Sequence, residues 1–149
     1  MSTPKDIRLS NYEMARNFLS GISNPQNYVC SVLGYVRGHS QMYVKAESIS
    51  PETDKSLILG FESVWYFEGP MRWKGLDFRL GSLDERINFL QGEWLNVGDW
   101  LNEFAEKHLL FVFERPKYKV QIFSGSFYVS ETEPRIHISY PDLPQQNQP

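Results

Sequence analysis

Between Ser56 and Gly81 the chain reads SLILGFESVWYFEGPMRWKGLDFRLG, two extended arms around one tight turn. Phe61, Ser63, Trp65 and Phe67 share one face of an extended chain, and Glu62, Val64, Tyr66 and Glu68 share the other, because strand side chains alternate with period two. Aromatic and β-branched residues suit a pleated, half-buried surface, so strand is expected here, with Phe61–Phe67 as core. Glu68-Gly69-Pro70-Met71 supplies the turn, since Gly and Pro together punctuate a chain and Pro cannot donate into a central ladder.

The return arm carries a conflict of phase. Met71 and Trp73 fall on one face, whereas Leu76, Phe78 and Leu80 fall on the other. One extra residue at Lys74-Gly75 would exchange the faces, as a β-bulge does, and Gly tolerates the dihedrals involved. With a bulge, Trp73 and Phe78 lie on the same side of the sheet. Without one, Trp73 faces outward.

The flanking sequence supplies further elements. Ser10 with Glu13 forms a capping box, and Leu9 with Met14 a hydrophobic staple. The helix they open is expected to reach Ile22 and to bury Met14, Phe18 and Ile22, before Asn24-Pro25 ends it. Tyr28–Val36 and Met42–Ile49 read as strands around the Gly-containing loop 37–41, and a polar connection, 50–55, leads into the central hairpin. Ser82 and Glu85 form a second capping box, opening a helix with Leu83, Ile87 and Leu90 on one face that ends near Gly92. Asn96 or Asp99 is expected to cap another helix, carrying Trp100, Leu101, Phe104 and His108. Leu109–Phe113 then reads as a buried strand and Tyr118–Ser130 as a long alternating one, bent at Gly125. Arg135–Tyr140 reads as a last short strand.

These elements predict a single α+β domain over residues 1–140. A curved, mostly antiparallel sheet of about seven strands carries an N-terminal helix and a helical pair inserted before the last three strands. The Pro- and Gln-rich tail, 141–149, has almost nothing to bury and is expected to be disordered. A chain of 149 residues can bury roughly 68–70 % of its unfolded surface, enough for one core.

Composition narrows the function classes. The net charge of −3 argues against a general affinity for nucleic acid or anionic membranes. A single cysteine, Cys30, leaves no internal disulfide and no Cys-rich zinc site, which fits a reducing cytosol. The start, MSTPKDIRLS, has no apolar signal-peptide core, and the longest apolar run, Leu109–Phe113, is far too short to span a bilayer. A soluble, cytoplasmic protein is expected. Size, charge and layout suit a small bacterial accessory protein, such as an immunity, inhibitor or assembly factor.

Chemistry-bearing motifs are sparse. His39, His108 and His137 have no ligand-pair spacing, so neither a metal nor any other cofactor is expected. His108, at a helix C-terminus, has a structural explanation in the helix dipole, which favours a protonated ring there. Cys30 lies in an apolar strand, where a thiol is an inert buried group. No nucleophile elbow and no phosphate-binding glycine loop occurs. Glu62, Glu68 and Asp77 could serve as general acid and base if a concave sheet gathered them, which gives an enzyme reading. Cross-strand pairing with Arg72, Lys74 or Arg79 is the plainer account. Arg72-Trp73-Lys74 and Arg115-Pro116-Lys117-Tyr118-Lys119 mix cations with aromatics, so Arg72, Lys74, Lys117 and Lys119 suggest binding of anions or single-stranded nucleic acid. The acidic neighbours Glu68, Asp77 and Glu114 weigh against it.

The preferred expectation is a non-enzymatic interaction protein that binds another protein chain, or itself, through the hairpin. Tyr66, Met71, Arg72, Trp73 and Lys74 are the candidate binding residues, being of the types enriched where partners anchor.

Overall fold

A computed structural model describes residues 11–36, 40–49, 56–92 and 100–131. Helix α1 (Asn11–Gly21) leads through a 3-10 turn at Pro25–Asn27 into β1 (Tyr28–Val36) and β2 (Gln41–Ser48). The hairpin follows as β3 (Leu57–Glu68), β4 (Arg72–Lys74) and β5 (Arg79–Leu80). Helices α2 (Leu83–Gly92) and α3 (Leu101–Glu106) precede β6 (Leu109–Glu114) and β7 (Lys119–Ser130). The α+β class, the N-terminal helix and the helical pair before the last strands agree with the pattern in the sequence. Leu9, Ser10, Asn96, Asp99, His39, the 135–140 strand and the 141–149 tail lie outside the described residues.

The seven strands form one antiparallel sheet in the order β4-β1-β2-β3-β7-β6-β5. Its two edge strands are nearly contiguous in the chain, separated only by Gly75, Leu76, Asp77 and Phe78. That connection covers at most about 18 Å when fully extended, so the sheet must curl until its edges approach. Amides at its start and just past β5 pin the return arm to both sides: Gly75 N donates to Tyr28 O at the β1 end, and Gly81 N donates to Leu110 O on β6, each at 2.8 Å. The return arm of the hairpin thus acts as a strap between the two edges.

Curling divides the apolar residues into two layers. The inner core gathers Phe61, Trp73, Leu76, Phe78, Phe111, Phe113, Ile122 and Phe127. Helix α1 closes over it: Ala15 is fully buried there, and the Phe18 and Phe127 rings lie 5.7 Å apart. The helix uses a face turned from the expected one, with Tyr12, Phe18, Leu19 and Ile22 packed inward and Met14 exposed. Helices α2 and α3 cover the outside of β6 and β7, where Leu90, Ala105, Leu110, Val112 and Phe123 form a second cluster. Strand β6 is buried on both sides because Phe111 and Phe113 point in while Leu110 and Val112 meet the helices. That is why its sequence is continuously apolar rather than alternating.

The second capping box forms as its spacing requires. Glu85 N donates to Ser82 Oγ at 3.2 Å and Ser82 N donates to Glu85 Oε1 at 3.1 Å, so two end-of-helix amides are satisfied reciprocally.

Candidate functional site

The two arms of the hairpin resolve their phase conflicts differently, and the difference decides which aromatics reach solvent. In the return arm Gly75 adopts φ +118, a conformation that L side chains rarely take. The chain turns there, so Trp73, Leu76 and Phe78 all enter the inner core. Trp73 is 3 % exposed, its ring centroid 6.2 Å from that of Phe78. Its Nε1 donates to Gly75 O at 3.1 Å, the same carbonyl that the Cys30 thiol approaches at 3.4 Å. Burial, helped by the charge of Asp77, pushes that thiol up to about 12, so it stays protonated and unreactive.

In the outgoing arm the irregularities compensate one another. Ser63 sits at φ 52, and the register with β7 slips between Val64 and Tyr66. Phe61 and Phe67 keep the inward phase expected of them, but Val64 lies inside between them and Trp65 does not. The sequence-based placement of Ser63 and Trp65 beside Phe61 in the core is therefore corrected: the extra residue turns Trp65 outward, as bulges commonly re-aim a side chain. Gly125 on strand β7 lies opposite Ser63. A Cβ there would lie 2.9 Å from Ser63 Cβ, which explains the glycine.

Trp65 is 43 % exposed and stands against α3, its ring 5.3 Å from Phe104 and 6.3 Å from His108. Behind it the stack continues inward, from Phe104 to His108 at 4.0 Å and from His108 to Phe123 at 5.2 Å. His108 Nδ1 lies 2.7 Å from Phe104 O, so that nitrogen carries the hydrogen and the neutral ring leaves Nε2 as an acceptor. Burial lowers the pKa of His108, the Phe104 hydrogen bond opposing it. The expectation of a dipole-stabilised imidazolium is thus reversed: this ring is a neutral stacking group. Trp100, 68 % exposed, is the N-cap residue of α3, four positions before Phe104.

The five residues singled out in the sequence fall into three places. Trp73 is inside. Tyr66 packs on the outer cluster, its ring 5.1 Å from Phe89 and its hydroxyl 3.1 Å from Glu68 Oε1. Met71, Arg72 and Lys74 are exposed along the edge strand beside β1, with Met71 63 % exposed. Tyr66 pairs with Phe123 on β7 and Arg72 with Ser31 on β1, so the two sides of the hairpin address different neighbours.

The carboxylates are likewise separate. Glu62 accepts hydrogen bonds from Gln41 Nε2 at 3.1 Å and Ser126 Oγ at 3.0 Å. Tyr43 hydroxyl continues that network to Gln41 Oε1 at 3.0 Å. Burial, then the contact with Tyr43 and the charge of Glu62, raises the pKa of Tyr128 on the same strands. Asp77 instead holds Arg115, whose Nη2 donates to its two oxygens at 2.9 and 3.1 Å while the guanidinium lies 3.8 Å above the Phe113 ring. None of the three clefts described below or at the flanks of α1 and α2 is lined by Glu62, Glu68 or Asp77.

One buried cation escaped notice in the sequence. Arg86 lies on α2 and is only 8 % exposed. Its Nε donates to Ser82 O at 3.3 Å, and Nη1 donates to Ala105 O at 3.0 Å and His108 O at 2.8 Å, carbonyls at the end of α3. The signal was its spacing, for Leu83, Arg86, Ile87 and Leu90 recur as one helical face does, and a charge on such a face must be accommodated.

No group of three or more His, Cys, Asp or Glu side chains that could hold a metal ion occurs among the described residues, and no described helix is long and apolar enough to cross a membrane. The chain matches no protein-family model, no curated protein and no solved structure.

Proposed function

We propose that the protein is a non-enzymatic interaction module that binds another protein chain through the outer aromatic surface of its hairpin. The observation that carries this reading is Trp65. A bulge holds a tryptophan 43 % exposed over Phe104 and His108, although an unbroken strand would have turned it into the core. Tryptophan is among the residues most enriched where partners anchor, and a rigid aromatic loses little conformational freedom on binding. Trp100 widens the same helix face, while Met71, Arg72 and Lys74 offer a second, separate strip along β4.

Photo-crosslinking from position 65 in the producing cell is expected to give one discrete protein adduct that a probe at exposed Asn17 does not give. With that partner purified, Trp65→Ala should weaken binding at least tenfold, about 1.4 kcal/mol or more, while the fold is kept. Light scattering on the pure protein tells a second copy of this chain from a different partner. A folded Trp65→Ala variant with undiminished affinity would remove the assignment. The same comparison with Arg72→Ala decides whether the β4 strip contributes.

A further inference from the structure

A cleft of about 410 Å³ opens between the start of α1 and the end of α3, lined by Asn11, Tyr12, Arg86, Glu106, Lys107 and His108 together with two leucines. We propose that this cleft binds a small organic monocarboxylate, with its carboxylate on Arg86 and its apolar body against Tyr12, Leu83 and Leu109. This is independent of the protein-binding surface around Trp65.

The donor count of Arg86 carries the inference. A guanidinium has five N–H groups and cannot lose its charge at physiological pH. Three of them are used on backbone carbonyls, Nε on Ser82 O and both hydrogens of Nη1 on Ala105 O and His108 O. Nη2 donates to no described residue, and no buried side-chain nitrogen or oxygen in the described structure lacks a partner. Arg86 lines the cleft, and Nη2 is the end of its guanidinium that meets none of the described carbonyls. None of the described ion pairs includes Arg86, although charged groups within 4.0 Å would count. The charge is thus met at close range by neutral carbonyls and by the Tyr12 ring, 5.3 Å from Cζ, with Glu106 acting on it from beyond ion-pair distance. A nearly buried cation with no carboxylate in direct contact among the described residues attracts an anion, because little water screens it and its orientation is already fixed.

The rest of the lining selects the class of anion. Glu106 brings one negative charge into the cleft, and Lys107 is engaged with Glu103 at 2.9 Å. A dianion would meet that carboxylate at greater cost than a monoanion. Leu83, Leu109 and Tyr12 give the walls apolar surface that inorganic anions cannot use, and the volume lies within the range of small-molecule sites.

The test is a titration of the intact protein with acetate, benzoate and inorganic phosphate at constant ionic strength, following the Arg86 Nε–H resonance. Benzoate is expected to move it saturably with a dissociation constant on the order of 1 mM or tighter, acetate more weakly and phosphate weakest. Arg86→Lys, which keeps a cation but loses the fork, should weaken benzoate at least about tenfold. Tyr12→Ala, which leaves the α3 carbonyls capped, should weaken it severalfold with Arg86 still reporting. No saturable shift with benzoate would overturn the proposal, as would equal binding by the folded Arg86→Lys protein. Tighter binding of phosphate than of benzoate would overturn the ligand class.

Discussion

Trp65 and Trp73 lie on one hairpin, eight positions apart, and both stand beside a break in strand alternation; yet one is 43 % and the other 3 % exposed. The difference has nothing to do with their hydrophobicity. In the return arm a glycine at φ +118 admits a turn that carries Trp73 inward to join Phe78. In the outgoing arm an extra residue at the register slip turns Trp65 outward onto α3. Residue type sets how much a side chain gains from burial, whereas backbone phase sets which one is granted it. The inner core accordingly contains the buried tryptophan and the outer layer the half-exposed one.

Truncating each tryptophan tests this contrast most severely. Trp73→Ala leaves a large cavity in the strap and deprives Gly75 O of a donor, so a loss of about 3–5 kcal/mol is expected. Trp65→Ala, already half in water, should cost no more than about 1 kcal/mol. Urea unfolding at 25 °C reads both directly. Comparable losses at the two positions would mean that the outward tryptophan also serves the core.

The next test addresses what places Trp73. At Gly75 a Cβ would fall 2.6 Å from Asp77 Oδ1 and 2.8 Å from Phe113 Cε2, in a conformation already costly for an L residue. Gly75→Ala is therefore expected to destabilise by about 2 kcal/mol or more. A loss within about 0.5 kcal/mol would show that the strap does not depend on this turn.

Much of this contrast could be read from the chain, and some could not. Gly75 was visible because two incompatible hydrophobic phases, Trp73 against Leu76 and Phe78, met at the one residue able to reconcile them. The Ser82–Glu85 box was visible because capping is local, needing only four consecutive residues. Trp65 was not visible: Ser63 is no glycine, and regular alternation of Phe61, Trp65 and Phe67 gives no hint of a bulge. Such an irregularity is expressed in the register with the neighbouring strand, where Gly125 lies close against Ser63, so the residues involved lie some sixty positions apart. Met14 was misplaced for a related reason, since the buried face of α1 is chosen by the sheet, through Phe18 on Phe127. For the site, the residue types were legible but their grouping was not. Trp73 is parted from Arg72 and Lys74 by the alternation of β4, and Tyr66 from that strip by its pairing with β7 rather than β1.

A smaller test turns to the outgoing arm. Ser63 holds φ 52, which costs a non-glycine residue about 1–2 kcal/mol, while glycine adds about 0.5–1 kcal/mol of unfolded-state entropy to be lost. Ser63→Gly should therefore stabilise by roughly 0.5–1 kcal/mol, the opposite sign to Gly75→Ala. Equal signs would break the pairing of the two irregularities, because it would mean that the outgoing bulge is not paid for in backbone strain.

The smallest effect concerns the ring on which Trp65 rests. His108 is stacked between Phe104 and Phe123 and bonded through Nδ1, and burial lowers its pKa below the ordinary 6.5. The unfolded chain then takes up a proton near 6.5 while the folded chain does so only at lower pH. Between those values the unfolded state binds more protons, so stability falls as pH drops through this window and levels off below the folded pKa. Glu85 has the opposite kind of shift: Arg79 holds it below the ordinary 4.5, so its contribution is complete above that value and is lost only in more acidic solution. The Glu85 window lies below 4.5, outside the range from pH 7.5 to 5.5. Urea midpoints measured from pH 7.5 to 5.5 should therefore decline in the parent protein and stay nearly level in His108→Gln, by an amount reduced because the ring is partly open to water. An identical decline in both proteins would assign the effect elsewhere and leave the outer layer, like the inner one, indifferent to protonation near neutrality.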